Sequence, residues 1–210
     1  MRATGSPAES SCSRRFGRPV SRGGPCHLQP LQQTSTLAFV FRLRDYQNKD
    51  IEKLHRLDQE CFEAGISYSR AELTSFIEKK GSFCLVAELE DEWSSDRASA
   101  APAAKARPAV KFEKGTVAGF IVAERHPKGY GHIITIDVRQ GFRRHQLGTK
   151  LLLAAEDRLR KQDTFMVVLE VAVNNQAAIT FYKRRNFNVA RTIPRYYKDE
   201  LDAFFMTKRL

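Results

Sequence analysis

At 210 residues, with 42% hydrophobic residues and 14 phenylalanines, the chain carries enough apolar surface for one buried core plus tails and is short for two domains. The longest apolar run, Met166 to Val173, is broken by Glu170 and is far too short to span a bilayer, so a soluble, cytoplasmic protein with no membrane partner is expected. A net charge of +11 admits a polyanionic partner, yet residues 1–38 alone hold five arginines against one acid, Glu9, and charge by itself does not separate a nucleic acid from a phosphorylated cofactor.

Residues 1–37 are rich in Ser, Arg, Gly and Pro, lack apolar periodicity and are predicted to be a disordered basic tail. A plain flexible tail or a misassigned start fits them better than a transit peptide. The fold is therefore sought in residues 38–210. Phe39, Phe41 and Leu43 alternate as in a short strand, and Ile51, Leu54, Leu57 and Cys61 mark a helix over about 49–62. Ser69 and Glu72 have the spacing of a capping box ahead of Leu73, Phe76 and Ile77, which predicts a second helix. A strand over 83–89 follows. Residues 90–112 are read as one elongated flexible hairpin loop of Ala, Ser and Pro, from which a strand returns over 116–124.

After turn residues at 126–129 comes a strand over 132–138, then an amphipathic helix marked by Leu147, Leu151, Leu152, Ala155 and Leu159. The segment 166–173 reads as a buried strand. Asn174 or Asn175 can cap a helix through Arg185, and strands over 188–193 and 203–208 close the chain. The order β α α β β β α β α β β is mixed α/β, a single domain. Cys12, Cys26, Cys61 and Cys84 lack metal or redox spacing and are expected as thiols, and the five scattered histidines indicate no metal site.

Between Ile136 and Thr149 a strand ends, a basic turn follows and a helix begins. The first N–H groups of a helix lack intrahelical acceptors and lie at its positive end, so this turn suits a phosphate, with Arg143 and Arg144 adding charge and Gly148 admitting close approach to the backbone. An ordinary strand-to-helix connection with solvated arginines has the same appearance. Glu170 is the sole ionisable residue of its apolar strand, on a face with Met166, Val168 and Ala172; burial there would raise its pKa toward that of a useful base, while an exposed position or an ion pair is the plainer role. Phe181 and Tyr182 read either as an aromatic packing pair or, for Tyr182, as a proton donor.

Arg143-Arg144-His145-Gln146-Leu147-Gly148 resembles the Arg/Gln-x-x-Gly-x-Gly/Ala loop of the GNAT acetyltransferase superfamily. Leu169-Glu170-Val171, Asn175, Ala177-Ala178-Ile179, Phe181-Tyr182 and Tyr196-Tyr197 before Asp202-Ala203 resemble the bacterial ribosomal-protein-alanine N-acetyltransferases. The likeness covers about Phe39 to Leu210, with three departures: Gln146 stands where the loop's first Gly is usual, Asn186 replaces a Gly before Phe187, and Ala172 replaces an Arg. The resemblance implies acetyl-CoA as co-substrate, with the backbone of Ile136, Asp137 and Val138 along the pantetheine arm, Arg143, Arg144, His145, Gln146, Leu147, Gly148 and Thr149 around the pyrophosphate, and Asn175 at cofactor or substrate. It also implies Glu170 as base, Tyr182 as acid, and Tyr68, Tyr196 and Tyr197 as walls of a slot for a protein N-terminus, with a ribosomal protein as one candidate. Direct nucleic-acid binding is not expected. Two alternatives stay open: acetylation of a small amine, and a catalytically idle basic binding module.

Overall fold

The computed structural model describes residues 39–62, 66–91, 93–94, 111–197 and 201–210; the predicted tail 1–37 and most of the hairpin loop lie outside them. The strands are β1 (Phe41–Asp45), β2 (Ser82–Leu89), β3 (Trp93–Ser94), β4 (Lys111–Phe112), β5 (Val117–Arg125), β6 (Gly131–Val138), β7 (Met166–Ala172), β8 (Asn188–Ile193) and β9 (Ala203–Arg209). The helices are α1 (Ile51–Cys61), α2 (Arg70–Glu78), α3 (Leu147–Arg160) and α4 (Gln176–Lys183), with single 3-10 turns at Asn48–Asp50 and Gln140–Phe142. The predicted order holds, with one addition: β3 and β4 pair inside the segment read as a featureless loop, a two-residue ladder too short to leave a periodic signal.

Seven strands form one sheet in the order β1-β2-β5-β6-β7-β9-β8. Every neighbouring pair is antiparallel except β6 and β7. On one face Leu54 and Leu57 of α1 and Leu73 of α2 pack on Val86, Phe120 and Val122. On the other, Leu147, Leu151, Leu152, Ala155 and Leu159 of α3 and Ile179 of α4 pack on Ile121, Ala123, Val167 and Leu169. Both helical faces are the ones that apolar spacing of 3 and 4 predicts. The capping box of α2 forms as expected: Ser69 Oγ accepts from Glu72 N at 3.2 Å, and Ser69 N donates to Glu72 Oε2 at 2.8 Å.

The parallel pair is where the sheet comes apart. β6 and β7 are in register only at Gly131↔Val167 and His132↔Val168. Beyond that point the β5–β6 ladder passes from Ala123↔Ile133 to Val122↔Thr135, leaving Ile134 as a bulged extra residue. A bulge bends its strand and increases local twist. β6 therefore swings away from β7, and the remainder of both strands flanks an opening in the middle of the sheet.

Candidate functional site: a strand opening above a helix N-terminus

Register decides which backbone groups line the opening. Arg139 N donates to Ala118 O at 2.9 Å, so the alternate residues Asp137 and Thr135 direct their backbone toward β5. The backbone of Ile134, Ile136 and Val138 faces the other way, into the opening. The Ile134 carbonyl accepts from the Tyr68 hydroxyl at 3.4 Å, and the Val138 carbonyl from Arg143 Nε at 2.9 Å. Of the three strand residues predicted along an extended ligand, Ile136 and Val138 present their backbone to it and Asp137 does not.

Asp137 instead turns a fully buried carboxyl toward the α1 side, with the Thr135 hydroxyl at 3.4 Å. Burial, reinforced by the nearby Asp58, pushes its pKa well above the usual carboxylate range and favours the neutral acid. Asp58, buried in α1, accepts from Tyr68 N at 2.8 Å, and desolvation raises it to about 6. The same burial lifts the Cys61 thiol to about 11, which keeps it protonated.

At the end of β6 the 3-10 turn is anchored by Phe142, which is fully buried against Phe39, Phe41 and Phe112. The chain then passes through two left-handed residues, Arg144 (φ 66°) and Gln146 (φ 60°), before α3 starts at Leu147. Gln146 thus adopts the conformation for which a glycine would be the easy choice, at a cost of about 1–2 kcal/mol. No acceptor among the described residues meets the N–H groups of residues 144–149, and the first bond of the helix is Lys150 N to Gln146 O at 3.0 Å. These donors form a concave anion cradle at the positive end of a 14-residue helix.

Several predicted cradle side chains are otherwise engaged. Arg143 folds back onto the Val138 carbonyl and toward Cys61 Sγ at 3.5 Å, so it braces the end of β6. Arg144 is exposed, and His145 stands edge-on to Phe39 at 4.6 Å between centroids. The Thr149 hydroxyl accepts from Arg185, whose guanidinium lies 3.7 Å from the Phe181 ring centroid and also donates to Phe181 O at 2.8 Å. A Cβ on Gly148 would lie 3.3 Å from the Phe181 ring and 3.7 Å from Val138, so this glycine serves the packing of α3 against α4. Asn175 is the N-cap of α4: its Oδ1 accepts from Ala178 N at 3.0 Å, which leaves its amide NH₂ for a ligand.

Glu170 and Tyr182 approach the opening from opposite faces of the sheet. Val167, Leu169 and Val171 join the α3/α4 core, so Glu170 looks toward α1 and α2, with its side chain 15% exposed. Its Oε2 lies 2.7 Å from His132 Nε2. Burial opposes the His132 cation, but the hydrogen bond and charge of Glu170, with Glu124 behind, hold its pKa above the ordinary value. Tyr182 sits among Phe181 and Phe187 on the α4 side, where burial first and Asp137 second raise its pKa and keep the phenol protonated. On the Glu170 side, burial and then Glu170 itself push Tyr196 up to about 12, and Tyr197 and Tyr68 are raised by the same desolvation. Tyr196 and Tyr197 meet edge to face at 4.9 Å, both act electrostatically on Tyr68, and Glu170 acts on Tyr196, so the three predicted slot tyrosines are brought together near Glu170.

His132 and Glu124 were not foreseen. Their signal is the short turn 126–130, which makes Glu124 and His132 direct cross-strand partners. Among the described residues no group of three or more His, Cys, Asp or Glu is arranged to hold a metal. No described helix is long and apolar enough to cross a membrane.

Residues 51–187 match the acetyltransferase (GNAT) family. The chain is 34% identical over 103 residues to N-alpha-acetyltransferase daf-31 of Caenorhabditis elegans, covering 46% of this chain and 57% of that protein. Several other curated relatives are likewise spanned over about half their length, 48% to 56%. The crystal structure of Ard1 from Thermoplasma volcanium superposes with a TM-score of 0.63 at 25% identity over 81% of this chain and 97% of that one. The ribosomal-protein-S18-alanine N-acetyltransferase of Escherichia coli superposes with a TM-score of 0.62 at 20% identity over 81% of this chain and 94% of that one, a likeness of fold.

Proposed function

Since the chain belongs to the acetyltransferase (GNAT) family, we propose that it transfers an acetyl group from acetyl-CoA to the N-terminal α-amine of a protein or peptide. One observation carries the reading: β6 and β7 pair at only two positions, and Glu170 and Tyr182 lie on opposite faces of the sheet they leave open. Acetyl-CoA supplies the activated acyl carbon and the leaving thiolate. The chain fits it with an anion cradle at residues 144–149 and an open strand edge at Ile134, Ile136 and Val138.

The work of these residues follows from their chemistry. The cradle's N–H groups and the dipole of α3 bind the pyrophosphate charge. The free Val138 N–H donates to the acyl oxygen as negative charge develops there. Glu170 accepts a proton from the attacking nitrogen, directly or through water, while Tyr182 holds a proton for the sulfur as it departs. Base and acid on opposite sides of the sheet allow the two substrates to approach from opposite sides, so the amine enters past Tyr68, Tyr196 and Tyr197.

The sequence resemblance implied a protein or peptide N-terminus as acceptor, with a ribosomal protein as one candidate. Protein N-termini in general are the better-supported class, because relatives at 33% to 39% identity bear the names N-alpha-acetyltransferase or N-terminal acetyltransferase and the ribosomal enzyme is a likeness of fold alone. The test is CoA thiol release with acetyl-CoA and either unblocked peptides or small amines such as polyamines, amino acids and aminoglycosides. Turnover with peptides is expected. Turnover with small amines and none with peptides would overturn the acceptor class.

A further inference from the structure

Asp58 is a fully buried acid that the chemistry of acetyl transfer leaves unused. It lies one turn beyond Leu54 on the packed face of α1, where an apolar side chain would serve the core better. Burial raises its pKa to about 6, and its Oδ1 meets no hydrogen-bond donor among the described residues. A buried carboxylate with an unpaired oxygen costs the fold stability. What the carboxylate does is accept from Tyr68 N through Oδ2 at 2.8 Å, the strongest of the influences that favour its charge.

The next residue completes the grip. Gln59, exposed on α1, donates from Nε2 to Tyr68 O at 2.8 Å and accepts from Ser67 Oγ at 3.5 Å. Two consecutive side chains of α1 thus hold both polar groups of the Tyr68 main chain. On its other side Tyr68 is followed by Ser69, the cap of α2. Its ring meets Phe76 edge-on at 5.0 Å, and its hydroxyl reaches Ile134 O, the bulged residue at the mouth of the opening. A tyrosine in a connecting loop is ordinarily free to move; this one is fixed at main chain, ring and hydroxyl alike. Selection among acceptors is a difference in transition-state contacts, and a wall that yielded to each side chain would erase it.

Resting on the reading of Tyr68 as a wall of the acceptor slot, we propose that Asp58 and Gln59 are positioning residues for acceptor selection, which fix Tyr68 so that protein N-termini are distinguished by their first side chain. Neither touches the substrate. Both side chains bond to the acceptor loop and neither to the cradle, so their effect belongs to the peptide and not to acetyl-CoA.

The experiment is steady-state kinetics with unblocked peptides that differ only in their first residue, for the parent, Asp58→Ala, Asp58→Asn, Gln59→Ala, Tyr68→Ala and the double variant Asp58→Ala/Tyr68→Ala. Asp58→Ala should raise the KM of the best peptide about tenfold and narrow the spread of kcat/KM across the set, with the acetyl-CoA KM unchanged. Asn keeps an oxygen for Tyr68 N, so Asp58→Asn should restore both the KM and the spread. Gln59→Ala should raise the KM about threefold and narrow the spread; being a surface change, it decides should Asp58→Ala fail to fold. Adding Asp58→Ala to Tyr68→Ala should alter neither quantity by more than about twofold, because a wall already removed needs no positioning. An unchanged KM and spread in Asp58→Ala or Gln59→Ala, an Asp58→Asn as impaired as Asp58→Ala, penalties of Asp58→Ala and Tyr68→Ala that multiply, or a parallel rise in the acetyl-CoA KM would each overturn the proposal. If Tyr68→Ala matches the parent, the wall reading falls and the proposal with it, while transfer to peptides stands. A parent that acetylates small amines and no peptide removes the acceptor class itself.

Discussion

The proposed role of Glu170 as base makes the clearest kinetic prediction. Glu170→Gln keeps the shape of the side chain and removes its proton affinity, so kcat should fall by about 10²–10⁴-fold with the acetyl-CoA KM nearly unchanged. Stopped-flow or steady-state rates with a peptide acceptor check it. Asp137 makes a second prediction, about stability. Its folded pKa is raised by burial, so the native state keeps a proton that the unfolded chain releases, and the stability this contributes is lost as pH rises above about 3.9. Asp58, at about 6, acts with the same sign between about 3.9 and that value. Asp137→Asn carries no such linkage, so its melting temperature minus the parent's should become more positive as pH goes from 5 to 8; a difference that stays constant or becomes more negative would contradict the burial of a neutral acid. Glu170 is legible in the sequence as the one charge in an apolar strand. His132 is not, because its partnership with Glu170 depends on a parallel register that no local pattern encodes.

At the scale of the element, apolar patterning was enough to order the four helices and the main strands, since each helix buries one face against one side of the sheet and the central strands are apolar on both. The turn before α3 was legible as a helix start preceded by basic residues, but not in the fate of its side chains. Arg143 and Thr149 are spent on Val138 and Arg185, contacts that exist only once β6, α3 and α4 have met. The left-handed Gln146 yields a test of the turn: Gln146→Gly relieves about 1–2 kcal/mol of backbone strain but restores unfolded-state entropy worth about 0.4–1 kcal/mol. By thermal melts the net change in stability should be between none and a gain of about 1.6 kcal/mol, and the acetyl-CoA KM should not rise. Asn175→Ala removes the α4 cap and should cost about 1 kcal/mol, seen as a drop in melting temperature of about 2–4 °C for a chain of this size. Gly148→Ala forces a Cβ to 3.3 Å from Phe181, so it should separate the start of α3 from α4 and raise the acetyl-CoA KM while leaving kcat with saturating cofactor nearly intact.

Across the whole molecule, the sheet is two antiparallel blocks, β1-β2-β5-β6 and β7-β9-β8, joined by two register pairs and by the α3/α4 core that spans both. The bulge at Ile134 that opens them leaves no trace in composition or periodicity, because Ile134 is as apolar as its neighbours. A ligand that fills the gap binds both blocks at once. Acetyl-CoA at about 100 times its Kd should therefore stabilise the protein by about 2.7 kcal/mol, a rise of roughly 5–10 °C in melting temperature, and Gly148→Ala should shrink that rise. The central claim is that this gap brings a protein's N-terminal amine to acetyl-CoA between Glu170 and Tyr182. The measurement that tests it most directly is mass spectrometry of a library of unblocked peptides incubated with acetyl-CoA and either the parent protein or Glu170→Gln. Acetyl groups on α-amines, formed by the parent and nearly absent with Glu170→Gln, are the predicted result; peptides left unmodified by the parent, or modified equally by both, would contradict it.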